Sequence, residues 1–275
     1  MKRNHLLILP FCLGLLFSAA DETVPASGTD WISLTSGGGY ASVRDLGTSP
    51  LRYRGVSLAA GSGYVSDSPV RNWGIGVDVS YAAAFGGDLM YLMHYAKGDF
   101  RLHYLRTIRE ISSPGLKISA GGSLSSAFAF TFNDAYQNAS GNFDLFTGLF
   151  FSGGMEHAFT RPAIDKKILF LNFRRPARNY SLFCRLDFPL LLAAVRPAYP
   201  YVLNGSLNTA EILSRHLFAG GFRLRSKAGL TRILDNGNAV EFAYVWDMLS
   251  TGKRDIYLLE TARHELLFTL YFRVK

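Results

Sequence analysis

From His264 to Lys275 the chain alternates strictly. Leu266, Phe268, Leu270, Phe272 and Val274 share one parity, and Glu265, Leu267, Thr269, Tyr271 and Arg273 share the other. A period of two puts successive side chains on opposite faces of a strand. One face of this segment is wholly apolar and the other is mixed. Such a strand can only be half of something: its apolar face needs either a protein core or a lipid phase.

The same pattern recurs upstream. Trp73, Ile75, Val77, Val79, Tyr81, Ala83 and Phe85 oppose Asn72, Gly74, Gly76, Asp78 and Ser80. Leu116, Ile118, Ala120, Leu124, Phe128, Phe130 and Phe132 oppose Lys117, Ser119, Ser123, Ser125 and Thr131. Tyr180, Leu182, Cys184, Leu186 and Phe188 oppose Ser181, Arg185 and Asp187, and Val240, Phe242, Tyr244 and Trp246 oppose Glu241, Ala243 and Asp247. Weaker alternation at 31–45, 51–65, 88–96, 99–110, 142–160, 167–174 and 215–234 fills the gaps. The expected architecture is all-β: an antiparallel transmembrane β-barrel of about 12 strands, with 10–14 allowed.

The first twenty residues read as an export signal. Lys2 and Arg3 precede an apolar run from Leu6 to Phe17, and Ser18-Ala19-Ala20 supplies the small residues of a cleavage site. The run is shorter than the roughly 20 residues of a spanning helix. The expected organisation is a signal at 1–20, a flexible lead at 21–30 and a barrel domain at 31–275. Removing the signal leaves Cys184 as the single cysteine, so no disulfide framework is expected. An exported chain without a long apolar helix can lie in a membrane only as a closed barrel.

Charged residues are 18% of the chain and aromatics 14%, lean and rich respectively for a water-facing surface. The formal charge of +8 is carried mostly by arginine. For an exported chain this favours anionic lipid headgroups over nucleic acid, since guanidinium binds phosphate in a fork.

Turn chemistry suggests how the strands are joined. Asp235-Asn236-Gly237-Asn238 reads as a two-residue hairpin turn, and Ala96-Lys97-Gly98-Asp99 and Arg175-Pro176-Ala177-Arg178 as further tight connections. These three are expected on the periplasmic side, and the longer segments 194–214 and 249–263 outside. Two segments fit poorly: Asn133–Asn142 is long for a periplasmic turn, and Phe85–Asp88 is short for an outer loop.

With the apolar face in lipid, the lumen is expected to hold Arg52, Arg54, Asp78, Arg101, His103, Lys117, Arg185, Asp187, Arg223, Arg225, Glu241, Asp247, Glu265 and Arg273. Mixed charge in a narrow barrel must be paired or hydrated, so the lumen should be polar and mostly filled. A narrow, slightly anion-selective passage is the alternative; wide channels generally need about sixteen strands. A soluble exported β domain, with the apolar face inward, satisfies the same alternation.

Catalytic patterns are sparse. His94, His103, His157, His216 and His264 form no metal-binding spacing, and neither a metal nor a cofactor is expected. His94 and His103 could share the lumenal face of a hairpin with Asp88, facing Ser123 or Ser125, which is the raw material of a lipid hydrolase. Gly-x-Ser-x-Gly is absent. The glycine-rich runs Ser36-Gly37-Gly38-Gly39 and Gly61-Ser62-Gly63 lack the lysine and following helix of a phosphate loop.

The signal at 1–20, the Ser49-Pro50-Leu51-Arg52-Tyr53-Arg54-Gly55 entry to a glycine-rich strand, the alternating strands and the closing Leu266–Val274 together resemble bacterial outer-membrane β-barrel proteins, in particular small barrels of the Bacteroidetes type. The resemblance implies a Gram-negative outer membrane, insertion by the barrel-assembly machinery, and lipid and lipopolysaccharide as surroundings. It transfers no catalytic or binding residue. One departure is plain: Phe272 is followed by Arg273-Val274-Lys275, where the family closes on an aromatic.

Overall fold

The computed structural model describes residues 28–47, 49–87, 91–108, 115–133, 141–168, 171–197, 217–252 and 258–274, with only the backbone for 165–168 and 171–175. They form thirteen strands: β1 (Thr29–Asp45), β2 (Arg52–Asp67), β3 (Arg71–Gly86), β4 (Tyr91–Thr107), β5 (Leu116–Asn133), β6 (Gly141–Arg161), β7 (Ile164–Ile168), β8 (Leu171–Arg175), β9 (Arg178–Val195), β10 (Leu217–Ala219), β11 (Phe222–Ile233), β12 (Ala239–Thr251) and β13 (Leu259–Arg273). Ten of them close an antiparallel barrel in the order β1-β2-β3-β4-β5-β6-β9-β11-β12-β13 and back to β1. Closure leaves no free edge. β10 is an extra short strand, and β7 and β8 form a separate two-stranded sheet.

The count is smaller than twelve for two reasons. β4 runs unbroken through Ala96-Lys97-Gly98-Asp99, where a turn was expected. Lys97 is paired in register with Ser80 of β3 and Ala129 of β5. The residues have turn composition because Lys97 and Asp99 project into the lumen, and pairing on both sides overrides local propensity. The segment 167–174 falls in the β7–β8 hairpin and not in the barrel wall.

Merging the two β4 halves also resolves one of the two misfits, that of Asn133–Asn142; the connection after β3 stays short at the long-connection end. The strand ends flanking 46–51, 87–90, 134–140, 196–221 and 252–258 now share one end of the barrel, and those flanking 68–70, 108–115, 162–177 and 234–238 share the other, with Thr29 and Arg273. Asn133 and Asn142 are therefore at the same barrel end as Val195 and Phe222, which bound the long 196–221 connection. Most of 249–263 is strand, leaving only 252–258 as connection.

The Asp235–Asn238 turn is wider than a two-residue hairpin. The Leu234 amide donates to Asn238 O at 2.8 Å, and the Gly237 amide donates to Leu234 O at 2.9 Å. Gly237 takes φ of 80°. This is a three-residue loop closed by a glycine bulge, which needs one positive φ and not two.

β9 carries the one irregularity in the wall. Pairing with β6 shifts register between Leu149 and Phe150, so Leu190 and Leu191 both face out. Pairing with β11 begins only at Asp187, below Pro189. Proline has no amide hydrogen to donate, so it sits at a bulge where the ladder is broken. Above the break, β10 resumes pairing with β9 at Ala193–Val195, after the positive-φ pair Gly220-Gly221.

The faces are inverted relative to a water-soluble barrel. Outward residues include Leu34, Val56, Leu58, Val77, Val79, Phe100, Leu102, Phe128, Phe151, Leu186, Phe188, Phe242, Leu266 and Phe268, all exposed, with Leu58 at 66% and Leu190 at 69%. Aromatics with polar tips bracket this belt. Tyr64 packs on Trp73 at 5.3 Å near the short-turn end, where Phe159 also stacks on Tyr180 at 5.6 Å. Toward the other end, outward Tyr81 bonds His94, and Tyr244 bonds His264, which stacks on Trp246. Trp73 and Tyr81 lie eight residues apart on β3, about 27 Å along the strand. Strand tilt in barrels reduces that to a height of about 20 Å.

Candidate functional site

The lumen holds the only dense chemistry among the described residues, and it is layered. Nearest the long-connection end lies an apolar core of Ala41, Val43, Tyr53, Ala84, Met93, Tyr95, Phe146, Leu192, Leu249 and Leu259. Arg196, just past β9, crosses this layer. Its Nη2 donates to Asp45 of β1 at 2.8 Å and its Nε to Asp144 of β6 at 2.7 Å. β1 and β6 are opposite walls, so one guanidinium ties the barrel across its diameter. Burial opposes the charge of Arg196, but the Asp144 and Asp45 carboxylates outweigh it and hold its pKa above the ordinary arginine value. Nearby, Asn133 of β5 donates to the Tyr53 hydroxyl of β2 at 2.7 Å.

The middle layer is ionic. Arg223 of β11 forks onto Asp247 of β12, with Nε–Oδ1 3.1 Å and Nη2–Oδ2 3.0 Å. It also donates to Ser125 of β5 at 2.7 Å and meets Asp99 of β4. Lys97 of β4 donates to Asp247 at 3.1 Å and lies 3.4 Å from Asp99. Arg263 of β13 donates to Asp247 at 2.9 Å, contacts Glu265 at 3.3 Å and bonds Ser80 of β3. The Phe150 ring lies 6.0 Å from the Arg223 guanidinium. Lys97, Asp99, Arg223 and Asp247 are each at most 6% exposed. Charges this deep persist because each is multiply paired.

The third layer, toward the short turns, is polar and more open. Lys117 donates to Asp67 at 2.6 Å and to Ser68 O at 2.9 Å. Arg185 donates to Asp187 at 3.1 Å, and Ser152 donates to the same carboxylate at 2.6 Å. Lys227 lies 2.7 Å from Glu241, which also accepts from the Tyr271 hydroxyl at 3.0 Å. Glycines make room for these groups: Gly74 stands beside His103, and Gly61 beside Asp78, where a Cβ would collide.

Of the fourteen residues expected in the lumen, eleven face it: Asp78, Arg101, His103, Lys117, Arg185, Asp187, Arg223, Arg225, Glu241, Asp247 and Glu265. Asp78 pairs with Arg101. Arg225 stands in register between Asp187 and Asp247. Arg273 shares this parity but lies exposed at the rim, packed over Gly237. Arg52 and Arg54 do not belong to the lumen. They share parity with Val56 and Leu58, because Tyr53, Gly55 and Ser57 take the inward positions of β2.

Several members of the network were not singled out in the sequence: Lys97, Asp99, Arg263, Arg196, Asp45, Asp144 and Lys227. The composition around Lys97 and Asp99 predicts a turn, and Arg263 falls in the expected long segment 249–263. Parity along one continuous strand from Tyr91 to Thr107, and from Leu259 to Arg273, is the signal that would have found them. Arg196 follows its strand and carries no periodic signal.

The residues considered for hydrolysis are not assembled. His94 faces out, bonded to Tyr81, whereas His103 faces in, bonded to Asn72 at 2.9 Å. An odd separation on one unbroken strand forces opposite faces. Ser123 bonds Ser152 at 2.9 Å, and Ser125 donates to Asp99 at 2.6 Å. Asp88 lies outside the described residues. No metal-binding group of three or more side chains occurs among the described residues.

No protein-family model matches this chain, and no curated protein matches it. Among solved structures, the transport unit of the autotransporter AIDA-I from Escherichia coli aligns over 95% of this chain and 94% of that one, at 10% identity and a TM-score of 0.43. The translocator domain of the autotransporter NalP from Neisseria meningitidis aligns over 90% and 89%, at 11% identity and a TM-score of 0.41. Likenesses this distant add nothing to what the barrel itself displays.

Proposed function

We propose that this chain is a non-enzymatic β-barrel of a Gram-negative outer membrane, with a blocked lumen and a structural or surface-interaction role. The observation that carries the membrane reading is the inversion of its faces: an exposed apolar belt, bracketed by aromatics, around a buried ionic interior. A soluble barrel with this exterior would expose far more contiguous apolar surface than monomers tolerate. In this reading residues 1–20 are a removed export signal, and the barrel-assembly machinery inserts the mature chain. The long 196–221 connection faces outward, toward lipopolysaccharide and the surroundings.

The blocked lumen supports a surface role over a conduit. Lys97 and Asp247 come from opposite walls and touch, and Arg196 bridges Asp45 and Asp144 above them. A solute would have to break both layers to pass.

Two measurements test the reading in order. The mature chain, folded in detergent, should migrate differently on a denaturing gel before and after boiling. No shift, with a monodisperse protein in plain buffer, would overturn the membrane reading. In planar bilayers the folded chain should add no steady conductance; discrete channel steps would replace a structural role with transport.

A further inference from the structure

Arg44, Arg52 and Arg54 stand on the outside of the barrel, where a membrane protein should carry the least charge. Arg44 of β1 is directly opposite Arg52 of β2 in register, and directly opposite Glu260 of β13 on its other side. Glu260 Oε2 serves both arginines, at 3.5 Å from Arg44 and 3.2 Å from Arg52. Arg54, one outward position below Arg52, is exposed and has no ion-pair partner among the described residues. Two guanidinium groups therefore share one carboxylate, and a third stands beside them with none. Like charges opposed across a strand pair repel, so this patch is short of anions.

Below the patch, the outward positions of β2 continue with Val56 and Leu58, 67% and 66% exposed. Leu58 is the upper lip of an external groove of about 460 Å³, lined by Ala60, Val79, Tyr81, Ala96, Gly98 and Phe128 among others. Its floor is low because Ala60, Ala96 and Gly98 are small. Nothing lies within 4 Å of where a Gly98 side chain would begin. Leu58 is in register with Tyr81 of the upper aromatic set. Arg54 is four residues higher on the same strand, about 13 Å, which is headgroup height when Tyr81 is at the interface.

We propose that this face of β1–β5 binds one phosphorylated lipid of the outer leaflet, its phosphate on Arg44, Arg52 and Arg54 and an acyl chain in the Leu58–Phe128 groove. The inference rests on the membrane reading above. The charge selects a phosphate, because guanidinium forks match its oxygens. The continuous apolar strip from Val56 into the groove selects a phosphate attached to a hydrocarbon chain.

The test uses mature chain that shows the heat-dependent gel shift, so failure of the membrane reading is detected first. Folded protein in a non-ionic detergent is titrated with lipid A, a diphosphorylated acylated disaccharide, and bound lipid is counted by native mass spectrometry. Dephosphorylated lipid A and inorganic phosphate are run in parallel. Lipid A should bind at a ratio of one, and both controls should bind at least about tenfold more weakly. Arg44→Gln/Arg52→Gln/Arg54→Gln should weaken lipid A about tenfold or more. Gly98→Leu fills open space and should weaken lipid A severalfold while leaving the arginines in place; it remains informative if the triple variant does not fold. Equal binding of inorganic phosphate would overturn a lipid source. Undiminished lipid A binding by either variant would overturn the site. So would a dimer that Gly98→Leu abolishes without changing lipid binding, since the groove would then belong to a second copy of the chain.

Discussion

Arg223 and Asp99, 124 residues apart in sequence, meet in the interior of the barrel. One comes from β11 and the other from β4, four strands away around the wall. The same guanidinium holds Asp247 on its own side of the lumen and Ser125 on the far side. The pairing thus fixes the separation of two walls that share no backbone ladder. It also explains the tolerance of so much buried charge, since removing any member strands the others without water.

Replacing Arg223 with methionine should therefore be costly. Asp99 and Asp247 would keep only Lys97 and Arg263 as cationic partners between them. Breaking a buried pair by removing one partner costs about 3–5 kcal/mol. Urea unfolding of the variant in lipid vesicles should show a loss of that size. Adding Asp99→Asn to Arg223→Met should restore part of the stability, because one uncompensated charge is gone. Equal stability of parent and Arg223→Met would mean that the network is not what holds the walls.

The outer face predicts a depth-dependent penalty. Val77 sits in the centre of the β3 belt and Trp73 at its aromatic border. Val77→Arg should cost about 2–4 kcal/mol in vesicles, and Trp73→Arg about 1 kcal/mol or less from charge alone. Equal penalties at the two depths would argue that no hydrocarbon slab surrounds the barrel.

Glycine separates wall packing from free surface. A Cβ on Gly39 would overlap the carbonyl oxygen of His264 on β13, whereas a Cβ on Gly98 meets nothing. Gly39→Ala should lower stability by about 1–3 kcal/mol, the usual scale of overpacking. Gly98→Ala should be neutral or slightly stabilising, since it also restricts the unfolded chain. Refolding yield and urea midpoints of the two variants measure the contrast.

The wall of this barrel was readable from parity because a two-residue period leaves no freedom once a strand is located. The faces of β3, β5, β12 and β13 follow directly from their sequences. What parity cannot give is where a strand stops. Lys97-Gly98-Asp99 has the composition of a turn, and only its partners in β3, β5 and β12 show why those residues stand in a strand. Arg52 faces out, against the sequence expectation, for a related reason. Arginine is expected inside a polar lumen, but Tyr53 fills the inward position through its hydroxyl bond to Asn133, and its neighbours must face out. The bridge by Arg196 was invisible, since a residue beyond a strand end carries no periodic signal and finds its partners only in three dimensions.

Cys184 offers a test of the faces that needs no stability measurement. It lies on the outward parity of β9, between Leu182 and Leu186, partly covered by its neighbours. In lipid vesicles a membrane-impermeant, charged maleimide should leave it unmodified over a period in which the same reagent fully labels Asn236→Cys in a Cys184→Ser background, since Asn236 is exposed in a short turn. A small uncharged maleimide that partitions into hydrocarbon should reach Cys184 faster than the charged one. Unfolding in urea should abolish the difference, because the thiol is then in water whichever way it faced. Rapid labelling of Cys184 by the charged reagent in the folded, vesicle-bound chain would place this face of β9 in water, and the apolar belt would then need a protein partner and not lipid to cover it.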